Sequence, residues 1–149
     1  MDLTGEYIIS APRQKVWEAL NNADILRDCI PGCEVLDKQS ETEMSATVVT
    51  KIGPVKARFT GQVRLENINA PASYTIAGEG KGGIAGFAKG GADVKLEEMP
   101  EGTKLSYVVK AQIGGKLAQL GSRLIDSTVK KLADQFFQKF SDSVGKAGT

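Results

Sequence analysis

Residues 116 to 144, KLAQLGSRLIDSTVKKLADQFFQKFSDSV, keep apolar side chains at helical spacing over a longer run than any other part of the chain. Leu117, Leu120, Leu124, Ile125, Val129, Leu132, Phe136, Phe137 and Phe140 share one face. Arg123, Lys130, Lys131, Asp134 and Lys139 lie largely off it. The spacing predicts an amphipathic helix of about 28 residues, ~40 Å long at 1.5 Å per residue. Few small domains are wider than that, so the helix must cross the whole of the layer that buries its apolar face.

That layer has to come from the preceding residues, which read mostly as strand. EYIISAP, residues 6–12, alternates and is β-branched, so it predicts a first strand. Pro12 then opens a short helix with Val16, Trp17 and Leu20 as its apolar stripe, and Trp17 reads as a core residue. A second short helix, Ala23 to Ile30, stops at Pro31-Gly32. Six strands follow at about 33–39, 43–52, 55–68, 73–80, 86–98 and 103–113, joined through turn sequences such as Gly53-Pro54 and Pro100-Glu101-Gly102. Short connections imply antiparallel neighbours. The expected fold is α+β: a curved antiparallel sheet of about seven strands wrapped round a long C-terminal helix, in the order β-α-α-β6-α. Residues 1–144 form a single domain in this reading, and 145–149 a short flexible tail.

Within the sheet, GEGKGGIAGFAKGG (residues 78–91) holds seven of the chain's 17 glycines. Glycine weakens a strand, so this density needs a purpose. A phosphate-binding loop would require Gly-Lys to be followed by Ser or Thr and a helix, but Gly82 and strand-like sequence follow instead. No βαβ unit surrounds the glycines, and a linker would be more polar. Two purposes remain: sharp bending of the sheet, or a wall left bare to make room for a ligand. Alternation turns Ala46, Phe59, Gly61, Gly78, Gly80, Ala88, Gly90, Ala92 and Ala111 to the inner face. Aligned through the turns, Ala46 falls near Gly61, Gly61 near Gly80 and Ala111 near Ala88. These small residues gather at one end while bulky residues fill the other. The cavity reading is favoured, with Leu117, Leu120, Leu124 and Ile125 as its cap and the whole set as ligand-binding residues.

Charge adds a second asymmetry beneath a net charge of +1. Lys51, Lys56, Arg58, Lys81, Lys89, Lys110, Lys116 and Arg123 gather near the small-residue end, and acids predominate at the other. Lys51, Lys81 and Lys116, with Ile84 and Phe87 as apolar tips, are the expected contacts to an anionic membrane surface or an acidic partner. The mouth they surround would comprise Ile30-Pro31, Gly53-Pro54, Gly82 to Phe87 and Gly114 to Leu117. Several chemistries have no residues to perform them. With no histidine, Ser-His-Asp and Cys-His systems and His-ligated zinc are excluded. Cys29 and Cys33, spaced C-x3-C, cannot complete a four-ligand zinc site and read as ordinary thiols. Tyr74 and Tyr107 point inward but toward the bulky end, and no two acids converge on the cavity. No covalent cofactor or metal site is expected. Nucleic-acid binding is not expected either, since aromatic residues make up 6% of the chain and no basic–aromatic run occurs. The N-terminus lacks a secretory pattern and no apolar run approaches the ~18 residues that cross a bilayer, so the expected location is cytoplasmic or peripheral at the inner membrane face.

The element order resembles the START-like (helix-grip, SRPBCC) superfamily. The segments IPGCEVLDK, KIGPVKARFTGQVRLE, GFAKGGADVKLEE and GGKLAQLGSRLIDSTVKKLADQFFQKF are similar to the G-subunit family of carbon monoxide dehydrogenase, over about residues 2 to 144. The superfamily resemblance implies an apolar ligand between sheet and helix. The family resemblance implies a non-catalytic accessory protein of a carbon monoxide dehydrogenase-type molybdenum hydroxylase. Its implied roles are recruitment of the enzyme to the membrane and handling of an isoprenoid quinone that accepts electrons. Some START-like relatives are cyclases or dehydratases, so the resemblance leaves an enzyme acting on an apolar substrate as the alternative. Many family members carry an extended C-terminal tail implicated in attachment. Ser141 to Thr149 here contains no apolar anchor, which favours transient membrane contact.

Overall fold

Seven strands form one antiparallel sheet in the spatial order β1-β7-β6-β5-β4-β3-β2. The computed structural model describes residues 1–147 of the 149. The strands are β1 (Asp2–Ile9), β2 (Cys33–Lys38), β3 (Glu43–Ile52), β4 (Val55–Asn69), β5 (Ser73–Lys81), β6 (Phe87–Met99) and β7 (Gly102–Gly114). Helices α1 (Arg13–Leu20) and α2 (Ala23–Cys29) intervene between β1 and β2, and α3 (Ser122–Ala147) follows β7. Six strands in succession pair through short turns, and β1 then pairs with β7. This is the expected α+β helix-grip architecture.

Local chemistry explains most boundaries. Asn22 caps α2 by accepting from the backbone N–H groups of Asp24 and Ile25 at 3.0 and 3.2 Å. Pro12 sits at the N-cap of α1 in extended conformation, one residue before the helical position expected for it. β1 starts at Asp2, not at residue 6, because all eight of its residues find partners on β7.

α3 corrects two expectations. It begins at Ser122, so Leu117 and Leu120 belong to a separate 3-10 turn, Gly115–Leu120. Gly115 and Gly121 bound that turn with φ of +75° and +91°, conformations that interrupt a continuous α-helix. At its other end α3 runs through Ala147, so residues 145–147 of the expected tail are helical. The remaining two, 148–149, lie outside the described residues.

The core occupies one end of the space between sheet and helices. Ile9, Val16, Leu96, Leu105, Phe140 and Val144 are buried there, with Tyr74 and Tyr107 among them. Trp17 meets Tyr74 edge-on at 5.2 Å between ring centroids, and Phe137 stacks on Tyr7 at 4.3 Å. Thr103 is fully buried and donates to the Ala11 carbonyl at 2.7 Å, tying the start of β7 to the turn after β1. The bulky end is therefore closed and aromatic.

Candidate functional site

The other end of the inner face has a different surface. Strand register lines up Ala46, Gly61, Gly80, Ala88 and Ile113 in one row across five strands. The next row runs Met44, Val63, Gly78, Gly90, Ala111. Ala111 thus lies opposite Gly90, not Ala88 as the turn alignment suggested, because β7 begins at Gly102 directly after the β6–β7 turn. Ala92 lies one row deeper, between Ile76 and Val109.

The glycines of this band divide into two kinds. A Cβ built on Gly90 would stand 2.2 Å from the Lys110 carbonyl oxygen, and one on Gly61 2.8 Å from that of Glu79. Both are closer than side chains tolerate against backbone, so these two glycines let strands approach and the sheet bend. Gly78 is less crowded, its nearest neighbour being the Gln62 carbonyl at 3.1 Å. A Cβ on Gly80 would meet nothing within 4 Å. Gly80 therefore faces open space at the centre of the inner wall. Around it, Val48, Phe59, Val63, Ile76, Val109 and Ile113 point inward yet remain half-buried, as do Leu124, Val129 and Leu132 on α3. Apolar side chains thus face one another between sheet and helix, with some solvent-accessible surface left over.

The segments expected to form a mouth are turns at one end of the sheet. Leu124 reaches the β3–β4 turn, 2.9 Å from where a Cβ on Gly53 would stand. The Phe59 ring covers Gly82, Ile125 and Leu117 are buried, and Leu120 is half-buried beside them. The backbones of Gly86 and Gly115 touch, joining the β5–β6 loop to the 3-10 turn before α3. Ile84 projects from that loop with 83% of its surface exposed. Phe87 is exposed as well, but it belongs to the outer face of the sheet, where its ring lies over Gly114.

The basic rim is less uniform than the sequence indicated. Arg58 is paired with Glu34, and Lys81 lies 3.4 Å from Glu79. Lys51, Lys56, Lys89, Lys110, Lys116 and Arg123 are exposed and make no ion pair among the described residues. Lys51 and Lys56 stand directly opposite each other in the β3–β4 ladder, an arrangement that repels unless an anion is nearby.

An open groove of about 620 Å3 occupies the outer face behind the glycine band. Ser45, Thr60, Gln62, Arg64, Glu79 and Lys89 are among its lining residues, so its polar walls do not suit the apolar ligand expected of the inner cavity.

Tyr74 and Tyr107 lie in the closed core, away from the mouth, and burial pushes the Tyr74 phenol well above its ordinary pKa. Sequence reasoning missed Tyr7, whose hydroxyl donates to Asp134 on α3. Burial, then the hydrogen bond to Asp134, raises the Tyr7 pKa, and the same bond holds the Asp134 carboxyl below the usual range. This pair clamps edge strand β1 to α3. The two residues are 127 positions apart, and no local pattern links them. Cys29 and Cys33 are free thiols whose pKa values burial raises, so neither is primed as a thiolate. Among the described residues, no helix is long and apolar enough to cross a membrane.

Comparison with solved structures supports the architecture. A conserved protein from Geobacillus kaustophilus superposes with a TM-score of 0.92 at 28% identity, covering 100% of this chain and 98% of its own. A protein from Thermus thermophilus gives 0.75 at 14% identity over the full length of both chains. An uncharacterized protein from Rhizobium leguminosarum gives 0.74 at 18% identity, covering 98% of this chain and 95% of its own. The latter two establish the fold alone. No curated protein sequence matches the chain. The sequence profile of the carbon monoxide dehydrogenase G subunit (CoxG) matches residues 5–145.

Proposed function

The chain belongs to the CoxG family, the G subunits of carbon monoxide dehydrogenase, and on that premise we propose that it is a non-catalytic accessory protein that binds an apolar ligand between sheet and α3. An isoprenoid quinone, or a lipid of similar character, fits an apolar wall of this kind. In this reading Ala46, Phe59, Gly78, Gly80, Ala88, Ala92 and Ala111 line the site on the sheet side, with Leu117, Leu120, Leu124 and Ile125 closing it. Gly61 and Gly90 serve it indirectly, by bending the wall. The partner is a carbon monoxide dehydrogenase-type molybdenum hydroxylase, which the protein assists in reaching the membrane and in passing electrons to the quinone. Ile84, Lys51, Lys81 and Lys116 make transient contact with anionic lipid or with that enzyme while the ligand is exchanged.

The observation that carries the reading is the open space in front of Gly80, surrounded by inward-facing apolar side chains that remain partly accessible. Native mass spectrometry with lipid extraction tests it. The purified protein should retain a chemically unaltered apolar molecule, and Gly80→Leu, whose side chain enters that space, should lose it while keeping a native circular dichroism spectrum. Equal retention by the folded variant would remove the ligand from this cavity. A chemically changed product would point to the enzyme alternative.

A further inference from the structure

The outer face of the sheet carries two features that the function above does not use. One is the open groove of about 620 Å3. The other is the exposure of Val35 and Phe87, 44% and 40%, on the strands at its opposite ends. Register fixes how these are arranged. One row across the groove reads Asp37, Ser45, Gln62, Glu79, Lys89 from β2 to β6. The row beside it, one step nearer the β3–β4 turn, reads Val35, Thr47, Thr60, Lys81, Phe87. Each end therefore joins an apolar tip to a charge, Val35 with Asp37 on β2 and Phe87 with Lys89 on β6. Four inter-strand steps separate the two ends, ~19 Å in all. Glu79 is answered by Lys81 at 3.4 Å. Asp37 and Lys89 are exposed, and neither is in an ion pair among the described residues.

The two ends complement each other. A two-fold axis running along β4, between two sheets laid face to face, sets the β2 end of one copy on the β6 end of the other, and the reverse. Asp37 then meets Lys89 and Val35 meets Phe87, at both ends of the interface. Charges and apolar tips match without any shift along the strands, because each pair shares a row. Thr60 and Gln62, on β4 at the axis, face their own counterparts, and hydroxyl and amide groups both donate and accept. The surface is hollow, so its rims make the contact and water bridges the polar floor. Arg58 and Arg64 are the charges nearest the axis on β4. Each is engaged by an acid of its own chain, Arg58 by Glu34 and Arg64 by Glu66 at 3.8 Å.

We propose that the outer groove is a self-association surface, on which a second copy of the chain docks as a two-fold dimer. The dimer does not depend on the apolar-ligand reading above. Its contacts are few and its centre is wet, which places it among weak, reversible associations. The axis runs along the strands, so both copies present their β3–β4 and β5–β6 turns at the same end. Lys51, Lys56 and Ile84 of two molecules then meet one surface together, and a contact that is weak singly gains from bivalency.

Sedimentation velocity of the full chain, from about 10 μM to about 1 mM, tests this across the range expected of a weak dimer. The sedimentation coefficient should rise with concentration. Asp37→Lys and Lys89→Asp should each weaken the dimer roughly tenfold, because each sets like charges opposite each other at both contacts. Mixed in equal amounts, the two variants should dimerise with each other, since every contact then joins opposite charges again. A folding defect in either variant does not produce that recovery. Phe87→Gln, which removes the apolar tip from both contacts, should weaken the dimer as well. A chain that stays monomeric over the whole range overturns the proposal. So does a dimer that these substitutions leave unchanged, or a pair of charge variants that fails to recover on mixing.

Discussion

Replacing Gly80 and Gly90 by alanine, one at a time, places the same methyl group on the same face of neighbouring strands and should move stability in opposite directions. The new methyl at position 80 meets nothing within 4 Å, and Gly80 is not among the glycines with positive φ. Gly80→Ala should therefore show only the benefit of removing a flexible residue from a strand, about 0.5–1 kcal/mol. At position 90 the methyl would stand 2.2 Å from the Lys110 carbonyl oxygen and 2.7 Å from the Ala111 Cα. Both neighbours are backbone, so β6 and β7 must separate, at a cost of about 1–3 kcal/mol on the scale of overpacked cores. The two variants should differ by about 1.5–4 kcal/mol. With a urea dependence of roughly 1–3 kcal/mol per molar, their unfolding midpoints should lie about 0.5–4 M apart. If Gly90→Ala unfolds at the wild-type midpoint, close strand approach is not the reason for that glycine. If Gly80→Ala is as destabilised as Gly90→Ala, the space in front of Gly80 is not open.

Other expectations follow from single contacts. Thr103→Val leaves the Ala11 carbonyl without its donor and should cost about 1–3 kcal/mol in chemical denaturation. Phe140→Ala empties a fully buried site and should cost about 3–5 kcal/mol, with loss of near-ultraviolet circular dichroism as a second readout. Asp134 has a lowered pKa in the folded state, so its contribution is present above the unfolded carboxylate value and disappears as pH falls through the folded one. Tyr7→Phe should flatten that acid limb of the stability profile, measured by urea titrations from pH 6 down to pH 2. Co-sedimentation with vesicles should require anionic lipid, weaken as salt rises and drop when Lys51, Lys56 and Lys116 are replaced by Gln. Undiminished binding of that variant would make the basic rim incidental.

Strands β2 to β7 were legible almost to the residue because alternation and turn residues agree along that part of the chain. The small-residue band was legible for the same reason, since parity alone decides which face a strand residue occupies. Register was less secure. Placing Ala111 beside Ala88 required knowing how tightly β6 turns into β7, and the tight turn at Gly102 moves the pairing by two residues. The start of α3 was misread because Leu117, Leu120 and Leu124 keep helical spacing across Gly121, and periodicity does not register a change of backbone conformation. Whether a glycine bends the sheet or opens a space was not legible at all. Gly90 and Gly80 are the same residue on the same face, and only the position of the neighbouring strand's backbone separates them.

The pairing of β1 with β7 has a consequence for synthesis. Asp2 meets Lys110 and Ile9 meets Thr103, so β1 has no partner until β7, about a hundred residues later, has emerged from the ribosome. At about 5–20 residues per second, β1 waits on the order of 5–20 s with its backbone groups unpaired. The meander from β2 to β7 can assemble by local hairpins during that time, but the edge that receives β1 stays open until it is complete. Such non-local closure slows folding and leaves the nascent chain exposed to aggregation. Substitutions in β1 should therefore lower the yield of folded protein in a cell more than their effect on final stability accounts for, and co-expressed chaperone should recover much of the difference.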